Sequence, residues 1–154
     1  MTVDPEVKFG IRDGGRTGAK TLEQKFSLVA GLVYLGIGLV GFVVTGFNDL
    51  VGTSNEAFLG IFALNPFHNI VHIAIGALWL LAALALTPPA TEGVNFAIGG
   101  IYLLAAVLGF LGYLALMNVG NHADPDNFLH LGTGLVALLF AGPLRVLGGR
   151  SLTA

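Results

Sequence analysis

Two stretches of this chain carry the same pattern, Asn-x-x-His-x-x-x-Gly, once as Asn69, His72 and Gly76 and again as Asn127, His130 and Gly134. Spacings of three and four put the three residues of each set on one face of a helix. Both patterns follow a capping residue and a proline, Asn65-Pro66 and Asp124-Pro125, which mark helix starts. At 1.5 Å per residue, each histidine then lies roughly 8 to 9 Å inside its helix. His68 and His72 also form an i, i+4 pair, as Asp126 and His130 do, and that spacing lets one helix offer two ligands to a metal ion.

Three kinds of chemistry are compatible with these residues. In the structural one, Asn69 and Asn127 hydrogen-bond the opposite histidines reciprocally, while Gly76 and Gly134 let helices approach closely. In the second, His72 and His130 hold haem b or another tetrapyrrole, with Asn69 and Asn127 beside them and the glycine one turn beyond each histidine leaving room for a flat ring. In the third, His68, His72, Asp126 and His130 form a divalent-metal or proton site, with His122 and Asp124 nearby, that would lose its metal on acidification as the histidines protonate. No nucleophile with a neighbouring base, phosphate loop or paired catalytic carboxylates can be read, so a non-enzymatic role is expected.

The elements that position these residues are unusually apolar. Of 154 residues, 55% are hydrophobic and only 10% charged, with a mean hydropathy of +0.82. Soluble domains carry about a quarter charged residues. Four spans are expected, at 26–47, 66–87, 95–117 and 125–143, each near the roughly 20 residues that cross a hydrocarbon core. They form a domain at 25–147, between a flexible tail at 1–24 and a second tail at 148–154. Residues 57–64 are left over, to lie along the membrane surface or re-enter it.

All seven basic residues (Lys8, Arg12, Arg16, Lys20, Lys25, Arg145 and Arg150) fall in the two tails or at the first helix start. The positive-inside rule therefore puts both tails in the cytoplasm of a bacterial inner membrane protein. Seven scattered cations make no phosphate-binding stripe, which argues against nucleic acid. The absence of cysteine excludes disulfides and thiolate metal sites.

The chain also repeats. Gly31, Tyr34, Gly41 and Phe42 recur in order and spacing as Gly99, Tyr102, Gly109 and Phe110, just as the Asn-His-Gly set recurs. Two hairpins of equal topology, related by a pseudo-two-fold axis, are expected: an all-α, integral membrane four-helix bundle. Glycine-rich faces such as Gly31, Gly38 and Gly41 should pack on a helix of this chain, another copy or a larger membrane complex. Tyr34 and Tyr102 should hydrogen-bond inside the bundle, and Trp79 should pack. Asp49, Glu56, Glu92, Asp124 and Asp126 read as solvated. The inner halves of the helices read as almost wholly apolar, which argues against a transport path.

The segments His68-Asn69-Ile70-Val71-His72 and Asp126-Asn127-Phe128-Leu129-His130, set in four short helices, resemble a bacterial family of small four-helix membrane proteins known as a domain of unknown function. The resemblance covers Glu23 to Leu147. It implies the four-helix architecture and the importance of the Asn-His pairs, and it supplies no activity. What remains is a small accessory subunit or binding protein, with a haem-binding electron carrier and a metal-binding or transport protein as the alternatives.

Overall fold

The computed structural model describes residues 10–11, 20–53 and 57–142. The expected tail 148–154 lies outside these residues, as does the tail 1–24 except for Gly10, Ile11 and residues 20–24. Four helices dominate: α1 (Leu22–Thr45), α2 (Pro66–Ala85), α3 (Pro88–Phe110) and α4 (Pro125–Leu139). Between α1 and α2 lies a two-stranded antiparallel hairpin of β1 (Ala57–Phe58) and β2 (Phe62–Ala63). A single 3-10 turn, Ala115–Met117, lies between α3 and α4.

Local chemistry sets most helix ends. The Gln24 side chain accepts from the Thr21 backbone N–H at 3.2 Å, tying down the start of α1. Gly46, at φ +64°, ends that helix while its N–H returns to the Phe42 carbonyl. Asn65 caps α2 by accepting from the His68 N–H at 2.9 Å, and Asp124 accepts from the Asp126 N–H at 3.1 Å at the start of α4.

Two expectations, both on α3, need correction. α3 begins at Pro88, not near Asn95, because proline needs no N–H donor in a first turn and Thr87 takes the extended cap position. Pro88 and Pro89 therefore end one helix and open the next, and Glu92 lies within α3 rather than in a loop. α3 also ends at Phe110 instead of Met117, where Gly112 at φ +79° turns the chain away. Residues 57–64, whose form the sequence left open, make a hairpin in which Ala57 pairs with Ala63 and Phe58 with Phe62, and Leu64 is buried.

α1 packs chiefly on α2, and α3 chiefly on α4, with smaller contacts of α3 on α1 and α2. Glycine sets both main contacts. A Cβ on Gly76 would strike the Leu35 backbone, and one on Gly31 would strike the backbone of Gly76 and Leu80. In the other hairpin, a Cβ on Gly134 or Gly99 would meet the carbonyl of its counterpart at 3.0 and 3.1 Å. Backbones in contact over this length gain dispersion energy and Cα–H···O contacts that side chains would hold off.

The core between the hairpins comprises Tyr34, Trp79, Ile98, Tyr102 and Ala137. Outward faces are the reverse of a soluble protein's, with Val29, Leu32, Val43, Leu81, Phe96, Leu104 and Leu135 exposed. α1, α2 and α3 are long and apolar enough to cross a membrane, and α4 at 15 residues is shorter.

The glycine contacts predict a graded response. Gly76→Ala should lower the unfolding free energy by about 1–3 kcal/mol, the usual cost of forcing bulk into a filled contact. Gly36→Ala meets open space and should leave stability unchanged or raise it. Denaturation of the purified variants measures both, and equal stability of the two would contradict the glycine seam.

Candidate functional site

Four buried ionisable side chains meet at the N-terminal ends of α2 and α4. His68 and His72 lie on the first turns of α2, and Asp126 and His130 on those of α4; their exposures are 0%, 3%, 1% and 1%. The first turn of α2 is thus no water-facing position for His68, and Asp126 is not solvated. Both are sealed beneath the loops that precede the helices. Asn65 donates from Nδ2 to the Leu116 carbonyl at 3.0 Å, and Asn118 donates to the Leu64 carbonyl at 3.1 Å, so the 3-10 turn is fastened over the N-terminus of α2.

His68, His72 and His130 each present a ring nitrogen within 4.8 Å of the other two. The His68 ring is 4.4 Å from that of His72 and 5.9 Å from that of His130. Asp126 completes the group from the side, its Oδ2 being 3.8 Å from His68 Nδ1, which is longer than a hydrogen bond. Both ring nitrogens of His72, Nδ1 of His130 and Oδ2 of Asp126 are buried without a hydrogen-bond partner. The backbone of Met117 makes only a weak approach to His68. Unpaired polar atoms at this burial are costly, by about 1–3 kcal/mol each, unless something else satisfies them.

Below the histidines sit the repeat-related tyrosines. Tyr34 lies 5.3 Å from His72 and Tyr102 lies 5.5 Å from His130, with 5.4 Å between the two tyrosine rings. The Tyr34 hydroxyl pairs with the Thr133 hydroxyl at 2.6 Å.

The asparagines and glycines of the repeated pattern do other work. Asn69 donates to Thr45 Oγ1 at 2.8 Å, and Asn127 donates to the Asn121 carbonyl at 3.0 Å, so neither is tied to a histidine. Their Oδ1 atoms instead rest over Gly41 and Gly109, where a Cβ would overlap them. Gly76 and Gly134 are taken up by the contacts with α1 and α3 and leave no slot beside the histidines. His122 is exposed and stands apart from the cluster.

A second polar group, at the opposite end of the bundle, contradicts the expectation of apolar inner halves. Asn95 Oδ1 accepts from Ser27 Oγ at 2.9 Å and from Trp79 Nε1 at 3.0 Å, while its Nδ2 donates to the Phe140 carbonyl at 3.0 Å. Gln24 donates to the Leu86 carbonyl at 2.8 Å and Thr91 to the Ala82 carbonyl at 2.9 Å. The available signal was that Ser27 and Asn95, separated by the repeat offset of 68, are polar in otherwise apolar helices.

Here every partner is supplied by the protein, so the inner group reads as a fastener. Asn95→Ala should destabilise the protein by about 1–3 kcal/mol by stranding the Trp79 N–H and the Phe140 carbonyl, while Ser27 keeps its bond to the Glu23 carbonyl. Denaturation followed by the emission of Trp79, the single tryptophan, measures this. A variant as stable as the parent would show that the network contributes nothing.

Over residues 24–142 the chain matches a family model described as a domain of unknown function, DUF4383. No curated protein and no solved structure matches it.

Proposed function

The chain belongs to that family of unknown function, the match spanning most of its length, and from its buried histidines we propose that it is a membrane-embedded binding protein for a divalent metal ion. The observation that carries this reading is the convergence of three histidine nitrogens within 4.8 Å of one another, buried and short of partners. A tetrahedral zinc site has Zn–N distances of about 2.0–2.1 Å and hence nitrogens about 3.3 Å apart. Closing the triangle onto an ion takes at most about 1.5 Å of movement, within the reach of imidazole rotation.

His68, His72 and His130 would be the ligands. With His68 Nδ1 turned toward Asp126, its Nε2 is left for the ion, and the carboxylate would orient the ring and raise its basicity as metal-site carboxylates commonly do. Three neutral nitrogen ligands suit zinc, cobalt, nickel or copper better than magnesium or calcium. A tetrapyrrole between His72 and His130 is disfavoured, since His68, Tyr34 and Tyr102 pack against those two rings where the macrocycle would lie.

The membrane setting is part of the proposal. Three helices have spanning length and composition, and α4 would be a fourth, shorter span whose outer end is covered by residues 111–124. The hairpins α1–α2 and α3–α4 would be pseudo-symmetric. Repeat-related residues meet where such an axis would pass, Ser27 against Asn95 and Tyr34 against Tyr102. Basic residues confined to the tails would keep both ends in the cytoplasm and the metal centre toward the outer face.

Purified, chelator-washed protein should take up about one equivalent of zinc or cobalt, measured by elemental analysis and, for cobalt, by visible absorption. His68→Ala, His72→Ala and His130→Ala should each abolish uptake. Asp126→Asn should weaken it by about 10- to 100-fold, and Asn69→Ala should leave it intact. Folded protein that binds no metal, or one that instead shows a Soret band with haem, would overturn the reading. For the topology, a tag on the C-terminus of intact cells should resist external protease; cleavage would reverse the orientation.

A further inference from the structure

An apolar cavity of about 160 Å³ opens directly onto the histidine cluster. His72 and Asp126 form its polar end, and Ile37, Phe58, Phe62 and Leu129 are among its walls, so the β1–β2 hairpin closes it from above. Tyr34 and Leu129 also line a larger groove of about 340 Å³, which runs between α1 and α4 past Phe26, Trp79 and Val136. Only those shared side chains stand between the two spaces. Among the described residues α1 meets α4 mainly through the Tyr34–Thr133 hydrogen bond and, at the far end, the stack of Phe26 on Phe140, and Phe128 and Leu129 on the groove's rim are exposed.

Three histidines leave a tetrahedral ion one open position, as metal centres that accept a ligand do. Charge then restricts what enters. A divalent ion, three neutral imidazoles and the Asp126 carboxylate sum to one positive charge in a buried, apolar setting, where an uncompensated charge is costly. An oxygen anion brings the sum to zero. The space behind it is apolar, and its volume of about 160 Å³ suits the first methylenes of one chain rather than two.

We infer that this site takes a single-chain amphiphile with a carboxylate head, which enters from the bilayer between α1 and α4 and places its head on the metal beside Asp126 and its chain in the cavity walled by Phe58, Phe62 and Leu129. The inference rests on the metal-centre reading and gives that centre a ligand class. The hairpin gains a role as well: it is the roof that keeps the chain's first methylenes out of water.

The test uses the cobalt-loaded protein in nanodiscs of a zwitterionic lipid, with acetate and decanoate as probes of equal head and unequal chain. Both should shift the cobalt absorption bands, decanoate at about tenfold or lower concentration, because its buried methylenes add apolar stabilisation. Partition into the lipid alone would also favour decanoate, so the decisive comparison is Leu129→Trp, with Ile37→Trp as a second variant approaching from α1. Each fills the cavity from a position that is not itself a ligand. Each should retain the resting cobalt bands and the acetate response while losing the decanoate advantage. An unaltered decanoate advantage in a variant that keeps its cobalt bands overturns the inference, as does a parent protein whose bands neither probe shifts. Bands shifted only by phospholipid added to a detergent-solubilised sample would assign the cavity to a two-chain lipid and overturn it equally. If the parent protein shows no cobalt bands at all, the metal centre itself is what fails.

Discussion

Polar side chains in the middle of this protein are cut off from solvent, and in an apolar bundle each must find its partner inside or stay unsatisfied. The two ends of the molecule answer that constraint differently. At one end, Asn95 uses both sides of its amide and gathers Ser27, Trp79 and the last carbonyl region of α4 into one closed set. At the other end, the side chains converge as closely, yet the ring nitrogens of His72 have no hydrogen-bond partner. Asn69 and Asn127 each leave an amide oxygen unpaired as well, so what sets the histidine cluster apart is the convergence of three imidazoles and a carboxylate on one buried point.

Glycine determines where that cluster falls. Gly38 lets α1 press on the backbone of Asn69 and Ile73, and Gly41 receives the Asn69 oxygen, so α2 is fixed against α1 in both register and rotation. With that face committed to α1, His68 and His72 turn toward the other hairpin. The same device operates at Gly109 and Asn127, and it turns His130 and Asp126 to meet them. The repeated asparagines are therefore clasps rather than partners of the histidines, and the pattern that drew attention to the histidines mixes two tasks on one helix turn. Their adjacency in sequence reflects a shared need for the bundle interior, where both kinds of polar residue are shielded from lipid.

What could be read from sequence was what local chemistry decides. Asn65-Pro66 and Asp124-Pro125 mark their helices because capping and a missing N–H act within one turn, and the structure starts α2 and α4 at those prolines. Pro88-Pro89 was harder, since the same residues can stop a helix or begin one and only the chain's reversal selects both. The triad of histidines was half legible: the i, i+4 spacing joined His68 to His72, but whether His130 reached them depended on the placement of α4 beside α2. The depth of His68 and Asp126 was hidden for a related reason. First-turn residues ordinarily face water, and here loop residues far along the chain, Leu116 and Asn118, close over them. The inner network was least visible, its bonds spanning separations of 68, 62 and 45 residues.

The repeat also departs from itself where departure matters. His68 and Asp126 occupy corresponding places ahead of His72 and His130, so a perfect copy would have put four histidines, or two histidines and two carboxylates, around the centre. Four neutral ligands would leave a divalent ion's full charge buried and close its coordination; two carboxylates would neutralise it with no anion needed. One of each would give the proposed ion three nitrogen ligands, a carboxylate beside one of them and a residual single charge. On the proposed metal reading, the difference of one side chain at one corresponding position would turn a symmetric helix junction into a centre with a direction, facing the cavity that His72 and Asp126 share.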